Sequence, residues 1–166
     1  MTSQPTVVLL VEDDRSQQEL TLAALRHIGV TEDVRCVSSG DAAIAYIHGE
    51  GEYHDRAAFP LPALIITDLQ MPHGDGYSLL RYLTSHPAEC ACPVVVFSSS
   101  DDDEHISKAS QLGASGYIVK PIAFSEICEV MRALFLWHRA EHAVNLSPIK
   151  TLHAARCAQQ RHFGKH

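Results

Sequence analysis

Several polar residues of this chain fall where apolar runs stop. The run at 6–11 gives way to Glu12, Asp13 and Asp14, and the run at 63–67 gives way to Asp68. The run at 93–97 is followed by Ser98, Ser99 and Ser100, and the run at 115–119 by Lys120 and Pro121. If those run-ends meet, carboxylates, a hydroxyl and an ammonium share one edge. Crowded carboxylates repel one another and call for a cation. A hard divalent ion with oxygen ligands, Mg²⁺ above all, suits them and keeps positions free for a phosphate oxygen. Lysine adds a point charge for the same phosphate, and a serine hydroxyl can donate to another of its oxygens. Asp68 stands by itself at its run-end and is the natural nucleophile, because a carboxylate can carry a transferred group covalently. The set has the chemistry of phosphoryl transfer.

The elements between these ends decide whether they can meet. Residues 6–11 are β-rich and apolar without alternation, as in a strand covered on both faces. Asp14 can cap a helix over 15–28, whose Leu20, Ala24 and Ile28 lie on one stripe, and Gly29 stops it. A short strand is expected at 34–37, a helix from 39–41 to about His48, a strand at 63–67 and a helix over 77–85. A strand at 93–97, a helix from Asp101 or Asp102 to Leu112, a strand at 115–119 and a helix over 124–139 complete the pattern. Residues 49–62 carry glycines, prolines and charges that support no regular element. Five strands alternating with five helices imply an α/β fold, a doubly wound five-stranded parallel sheet with right-handed crossovers. Ligands in such sheets bind at the carboxyl ends of the strands, where the strand order reverses. All the polar run-ends above are carboxyl ends.

Length and charge narrow the remaining possibilities. The 166 residues leave room for one domain, expected at 6–139, between a short tail at 1–5 and a tail at 140–166 too short for an output domain. The apolar share of 46% and charged share of 20% suit a globular protein. The polar start carries no signal-peptide pattern, and no apolar run approaches a membrane span, which together argue for a cytoplasmic protein with no membrane contact. The net charge of −7 is uneven, with +3 over 140–166 and −10 before it. An acidic body disfavours nucleic acid as a direct partner. The five cysteines, Cys90-Ala-Cys92 included, lack a trusted zinc or redox spacing and are read as reduced structural thiols. The acidic run 101–104 is read as a solvated helix start rather than a second metal site.

Four stretches taken together, Leu9-Leu-Val-Glu-Asp13, Ile66-Thr-Asp-Leu-Gln-Met-Pro72, Val96-Phe-Ser98 and Gly116-Tyr-Ile-Val-Lys-Pro121, resemble the receiver domain of two-component response regulators. The resemblance runs from about Thr6 to Arg139 and implies the flavodoxin-like receiver fold with a C-terminal extension. It implies that Asp68 is the phosphoacceptor. Glu12, Asp13, Asp68 and the backbone carbonyl of Gln70 are implied as the Mg²⁺ site, with Glu12 and Asp13 as its acidic pair. Ser98 is implied as the switch hydroxyl, Tyr117 as the aromatic switch and Lys120 as the phosphate-binding lysine. The Lys120–Pro121 peptide is expected to be cis, which proline makes inexpensive. The implied partner is a sensor histidine kinase, a hybrid kinase or a phosphotransfer protein. After phosphorylation Tyr117 is expected to move into space that Ser98 vacates.

The long 49–62 loop is similar to that of single-domain regulators associated with phytochrome-type and hybrid kinases, where it either docks a kinase or is a tolerated surface insertion. The apolar stretch Leu134-Phe-Leu-Trp137 is wider than a surface helix needs, so it is expected to pack under the tail or at a homodimer interface. Two rival readings remain. A haloacid-dehalogenase-type hydrolase also pairs an aspartyl nucleophile with Mg²⁺ and lysine, but it wants an acid two residues after the nucleophile, where this chain has Gln70. A pseudo-receiver that works without phosphorylation is the other, and the intact acidic pair, Asp68 and Lys120 weigh against it.

Overall fold

A computed structural model describes residues 6–141. The tail expected at 1–5, and all but the first two residues of the one expected at 140–166, lie outside the described residues. The strands are β1 (Val7–Val11), β2 (Asp33–Val37), β3 (Leu64–Thr67), β4 (Val94–Ser98) and β5 (Gly116–Val119). The helices are α1 (Arg15–His27), α2 (Gly40–His48), α3 (Gly76–Ser85), α4 (Asp103–Gln111) and α5 (Phe124–Glu141). Every regular element expected from the sequence is present, and most bounds agree within one or two residues.

The strands form one parallel sheet in the order β2-β1-β3-β4-β5. Side chains alternate across a strand, and the apolar runs therefore feed two cores. Leu9, Val11, Ile65 and Val96 pack on the side of α2 and α3. Val8, Leu10, Leu64, Ile66, Val95 and Phe97 pack on the side of α1 and α5. Register aligns the carboxyl ends, pairing Val11 with Val37 and Thr67, Thr67 with Val96, and Ser98 with Val119. The chain turns back on itself between β1 and β3, so the crevice for a ligand opens beside Glu12 and Asp68.

Caps fix where the helices begin. The Asp14 carboxylate accepts from the Ser16 and Gln17 amides at 2.8 and 3.1 Å, and Asp102 accepts from Glu104 at 2.8 Å. Ser39 and Asp75 cap α2 and α3 in the same way. Such a cap stabilises a helix by about 1 kcal/mol.

The loop at 49–62 differs from the expectation, because it contains a 3-10 turn, Gly51–His54, and is packed. Arg56 donates to the Tyr46 carbonyl at 2.8 Å, to the Phe59 carbonyl at 3.3 Å and also to the Ile47 carbonyl. It thereby satisfies carbonyls at the end of α2 that a helix leaves unpaired. Tyr53 lies 5.0 Å from Tyr46 and 5.3 Å from Phe59, centroid to centroid. The Lys120–Pro121 peptide is trans, which corrects the expectation of a cis bond. Proline brings the two isomers within about 1 kcal/mol of each other without requiring cis, and here the chain leaves β5 in trans.

The apolar stretch of α5 is absorbed largely by its own domain. Leu134, Phe135 and Trp137 are buried in the α1/α5 core, and only Leu136 is well exposed, at 61%. Arg139 anchors the end of this helix by a two-pronged contact to Glu32, with both N–H···O distances 2.9 Å. The Arg139 hydrogen bond holds the Glu32 carboxyl below its ordinary value of 4.5. A depressed carboxyl stabilises the fold above its unfolded pKa and loses that contribution as pH falls through the folded one. Arg139 is half exposed, so the contribution is small. Glu32→Gln should lower stability near pH 7 by at most about 1 kcal/mol. In urea titrations that difference should shrink as the pH is lowered below 4.5.

Candidate functional site

The site is assembled by three strand ends. The Asp68 amide donates to the Val11 carbonyl at 3.0 Å, carrying the β1–β3 ladder one residue past β3 and seating Asp68 beside Glu12. The Lys120 amide donates to the Ser98 carbonyl at 2.8 Å and does the same between β4 and β5. From there the Lys120 ammonium reaches back across the edge. It donates to Asp68 Oδ2 at 2.9 Å and to Glu12 Oε2. The other Asp68 oxygen accepts from the Leu69 amide at 2.6 Å.

Glycine makes room for this arrangement at Gly76, the first residue of α3. A Cβ there would stand 2.2 Å from the Asp68 carbonyl oxygen, a backbone atom that cannot swing aside. The turn between β3 and α3 is also tied to α2, through the Gly40 amide and the Gly74 carbonyl at 2.7 Å.

Charge in the cluster is unbalanced. The side chains of Lys120, Glu12 and Asp68 are 7%, 6% and 13% exposed, while Asp13 is exposed at the mouth. Burial pushes the Glu12 carboxyl up in spite of the opposing Lys120. Burial alone would lower the Lys120 pKa, but its bonds to Glu12 and Asp68 outweigh that and hold it protonated. One ammonium therefore faces the Glu12 and Asp68 carboxylates, with Asp13 following Glu12 at the mouth. That excess of hard oxygen donors fits a divalent cation of the Mg²⁺ class. No three His, Cys, Asp or Glu side chains among the described residues are gathered closely enough to hold an ion as they stand. Lys120 instead occupies Glu12 and Asp68. Gln70 is exposed two residues beyond Asp68.

Ser98 is buried at the end of β4, and its Oγ accepts from the Ser100 amide at 3.4 Å. Tyr117 is only 5% exposed, with its hydroxyl donating to the Ser100 carbonyl at 2.8 Å. Burial raises the Tyr117 pKa, and contacts with Ser98 and Ser100 oppose the rise. The Tyr117 ring lies inward, beside Ser100.

Residue types alone did not single out what surrounds the ring. Ser100 Oγ pairs with His105 Nδ1 at 2.7 Å, and the His105 ring meets Tyr77 edge-on at 6.5 Å. Lys108 Nζ sits 4.2 Å from the centre of the Tyr77 ring, whose buried hydroxyl has no hydrogen-bond partner. In the sequence Ser100 is one of three serines after the apolar run at 93–97. Its contact with His105 spans one turn of backbone and the cap of α4, and no periodic pattern records it.

Residues 8–132 match the response regulator receiver domain, and the chain belongs to that family. Response regulator Rcp1 of Synechocystis sp. is 27% identical over 130 residues, spanning 78% of this chain and 86% of the relative. A solved structure of its Mn²⁺-bound form superposes with a TM-score of 0.72 at 26% identity, covering 86% of this chain and 99% of that one. Response regulator RPA3017 in red light signaling of R. palustris gives a TM-score of 0.75 at 30% identity, covering 78% and 91% of the two chains. The phosphorylated cyanobacterial phytochrome response regulator RcpA gives 0.70 at 32% identity, with the same coverage of 78% and 91%. The chain is thus similar to single-domain regulators tied to phytochromes.

Lys120→Met leaves Glu12 and Asp68 facing each other without their shared cation. It should lower stability at neutral pH by about 3 kcal/mol, the lower end for breaking a buried ion pair. Adding Glu12→Gln should restore part of that loss in urea unfolding. Equal losses in the single and double variants would show that Lys120 does not act by neutralising these carboxylates.

Proposed function

We infer that this chain accepts a phosphoryl group on Asp68 from the phosphohistidine of a sensor kinase, hybrid kinase or phosphotransfer protein, and signals through a change of its surface. The observation that carries this reading is the Lys120 ammonium on Asp68 Oδ2 at the reversal point of the sheet. The Mn²⁺-bound relative and the phosphorylated relative support it.

In the transfer, an Asp68 carboxylate oxygen forms a bond to phosphorus as the bond from phosphorus to the donor imidazole breaks. The product is an acyl phosphate. Lys120 already contacts the reacting carboxylate, so its charge is in place for the phosphoryl oxygens without a search of rotamers. Those oxygens offer it an alternative to Glu12 and Asp68. Asp13, Asp68 and the Gln70 carbonyl would hold Mg²⁺, which supplies charge neutralisation when bound. Ser98 Oγ donates to a phosphoryl oxygen.

The switch is a choice between packings biased by that local charge. With Tyr117 inward on Ser100, this arrangement is the packing that a phosphoryl group on Asp68 would favour. The α4, β5 and start-of-α5 face carries the output, either to a second copy of the chain or to another protein. The packed 49–62 loop lies away from that face and is available to a kinase.

Incubation with acetyl phosphate and Mg²⁺ tests this directly by intact mass. The chain should gain one phosphoryl group, Asp68→Ala none, and chelation of the metal should abolish the gain. No gain, with acetyl phosphate or with phosphorylated kinases, would favour a receiver fold that works by binding alone.

A further inference from the structure

The connection from α3 to β4 holds two thiols in contact. Cys90 and Cys92 flank the exposed Ala91, and their sulfurs are 3.2 Å apart. Residues i and i+2 of an extended segment point to the same side, so such a pair can share a face. Here both side chains turn towards the cleft between α3 and the start of β4. The sulfurs line a cavity of 170 Å³ with Leu80, Leu83, Thr84 and Pro87. Cys90 is 8% exposed and Cys92 is half-buried, so the pair sits at a wall and not deep in a core.

We propose that Cys90 and Cys92 form an oxidisable dithiol that a small peroxide closes to a disulfide. The chemistry has two steps. The Cys90 thiolate attacks one peroxide oxygen, breaking the O–O bond, to give a sulfenic acid and, with a proton, water or an alcohol. The Cys92 sulfur then displaces the sulfenic hydroxyl, which leaves as water with the Cys92 proton. Two thiols lose two electrons and two protons, and one peroxide is reduced. The sulfurs must close from 3.2 Å to about 2.05 Å, within a connection that has no sheet or helix hydrogen bonds to break at Ala91.

The order of events follows from the contact between the thiols. The contact between the two sulfurs, in which either can be the donor, lowers the Cys90 pKa against the effect of burial, and the charge of Arg56 adds to the lowering. The same contact raises the Cys92 pKa. A thiolate, not a thiol, is the attacking species. Cys90 is therefore the attacking sulfur and Cys92 the resolving one. The other described cysteines, the exposed Cys36 and the buried Cys128, have no such neighbour.

The full chain can be treated with hydrogen peroxide, alkylated, digested with trypsin and weighed. Cleavage after Arg81 and Lys108 places Cys90 and Cys92 alone together in one peptide. That peptide should lose two hydrogens and escape alkylation, and dithiothreitol should return both thiols. In Cys92→Ser, a dimedone-type reagent should trap sulfenic acid on Cys90. Full alkylation of both cysteines after peroxide, or links only between chains, would overturn the proposal. Faster trapping on Cys92 in Cys90→Ser than on Cys90 in Cys92→Ser would overturn the assigned order.

Discussion

The ammonium of Lys120, shared between Glu12 and Asp68, is the contact on which the rest of this structure depends. It joins the ends of β1, β3 and β5 across the mouth of the sheet. A lysine this enclosed is costly to desolvate, and only close carboxylates repay it. The sheet supplies that closeness through register. Continuing the ladders by one residue, at Asp68 and at Lys120, sets both side chains on the same edge. The two cores then hold the strands so that the edge stays fixed. A site built on strand ends is more rigid than one built on loops, which matters when charge must be in place before a phosphoryl group arrives.

The second layer of the site is a chain of short contacts leading outward. Ser98, Tyr117 and His105 each contact Ser100, between the end of β4 and the first turn of α4. These contacts give the proposed switch a route from Ser98 to the Tyr117 ring, which lies on β5. In the same family, the phosphorylated RcpA shows that a close relative takes the modification. In this chain the Tyr117 hydroxyl donates to the Ser100 carbonyl and the ring is buried.

Much of this was legible in the residues. Non-alternating apolar runs at 6–11, 63–67 and 93–97 marked buried strands, and the polar residue after each run marked the site, because the buried faces of these strands do not tolerate unpaired charge. Asp14 and Asp102 were readable as caps from their place before helical stripes. What stayed hidden depends on contacts distant in sequence or on geometry without a pattern. Arg56 organises the 49–62 loop by reaching the end of α2, so the stretch reads as punctuation until the guanidinium is placed. Phe135 and Trp137 read as surplus apolar surface but fill the α1/α5 core. Cys90 and Cys92 read as scattered thiols because nothing in the sequence fixes the backbone conformation of 90–92. Pro121 allows two isomers, and local sequence does not choose between them.

The central claim is that Asp68 and Lys120 form a site whose charge, once a phosphoryl-like group is bound, is transmitted through Ser98 to Tyr117. Amide NMR spectra with Mg²⁺ and beryllium trifluoride, an acyl-phosphate mimic, test it most directly. The account predicts saturable shifts at Leu69, at Ser98 to Ser100 and at Tyr117, with none of them in Asp68→Asn. Shifts in the wild type that leave Ser98 and Tyr117 unmoved, or that persist in Asp68→Asn, would contradict it.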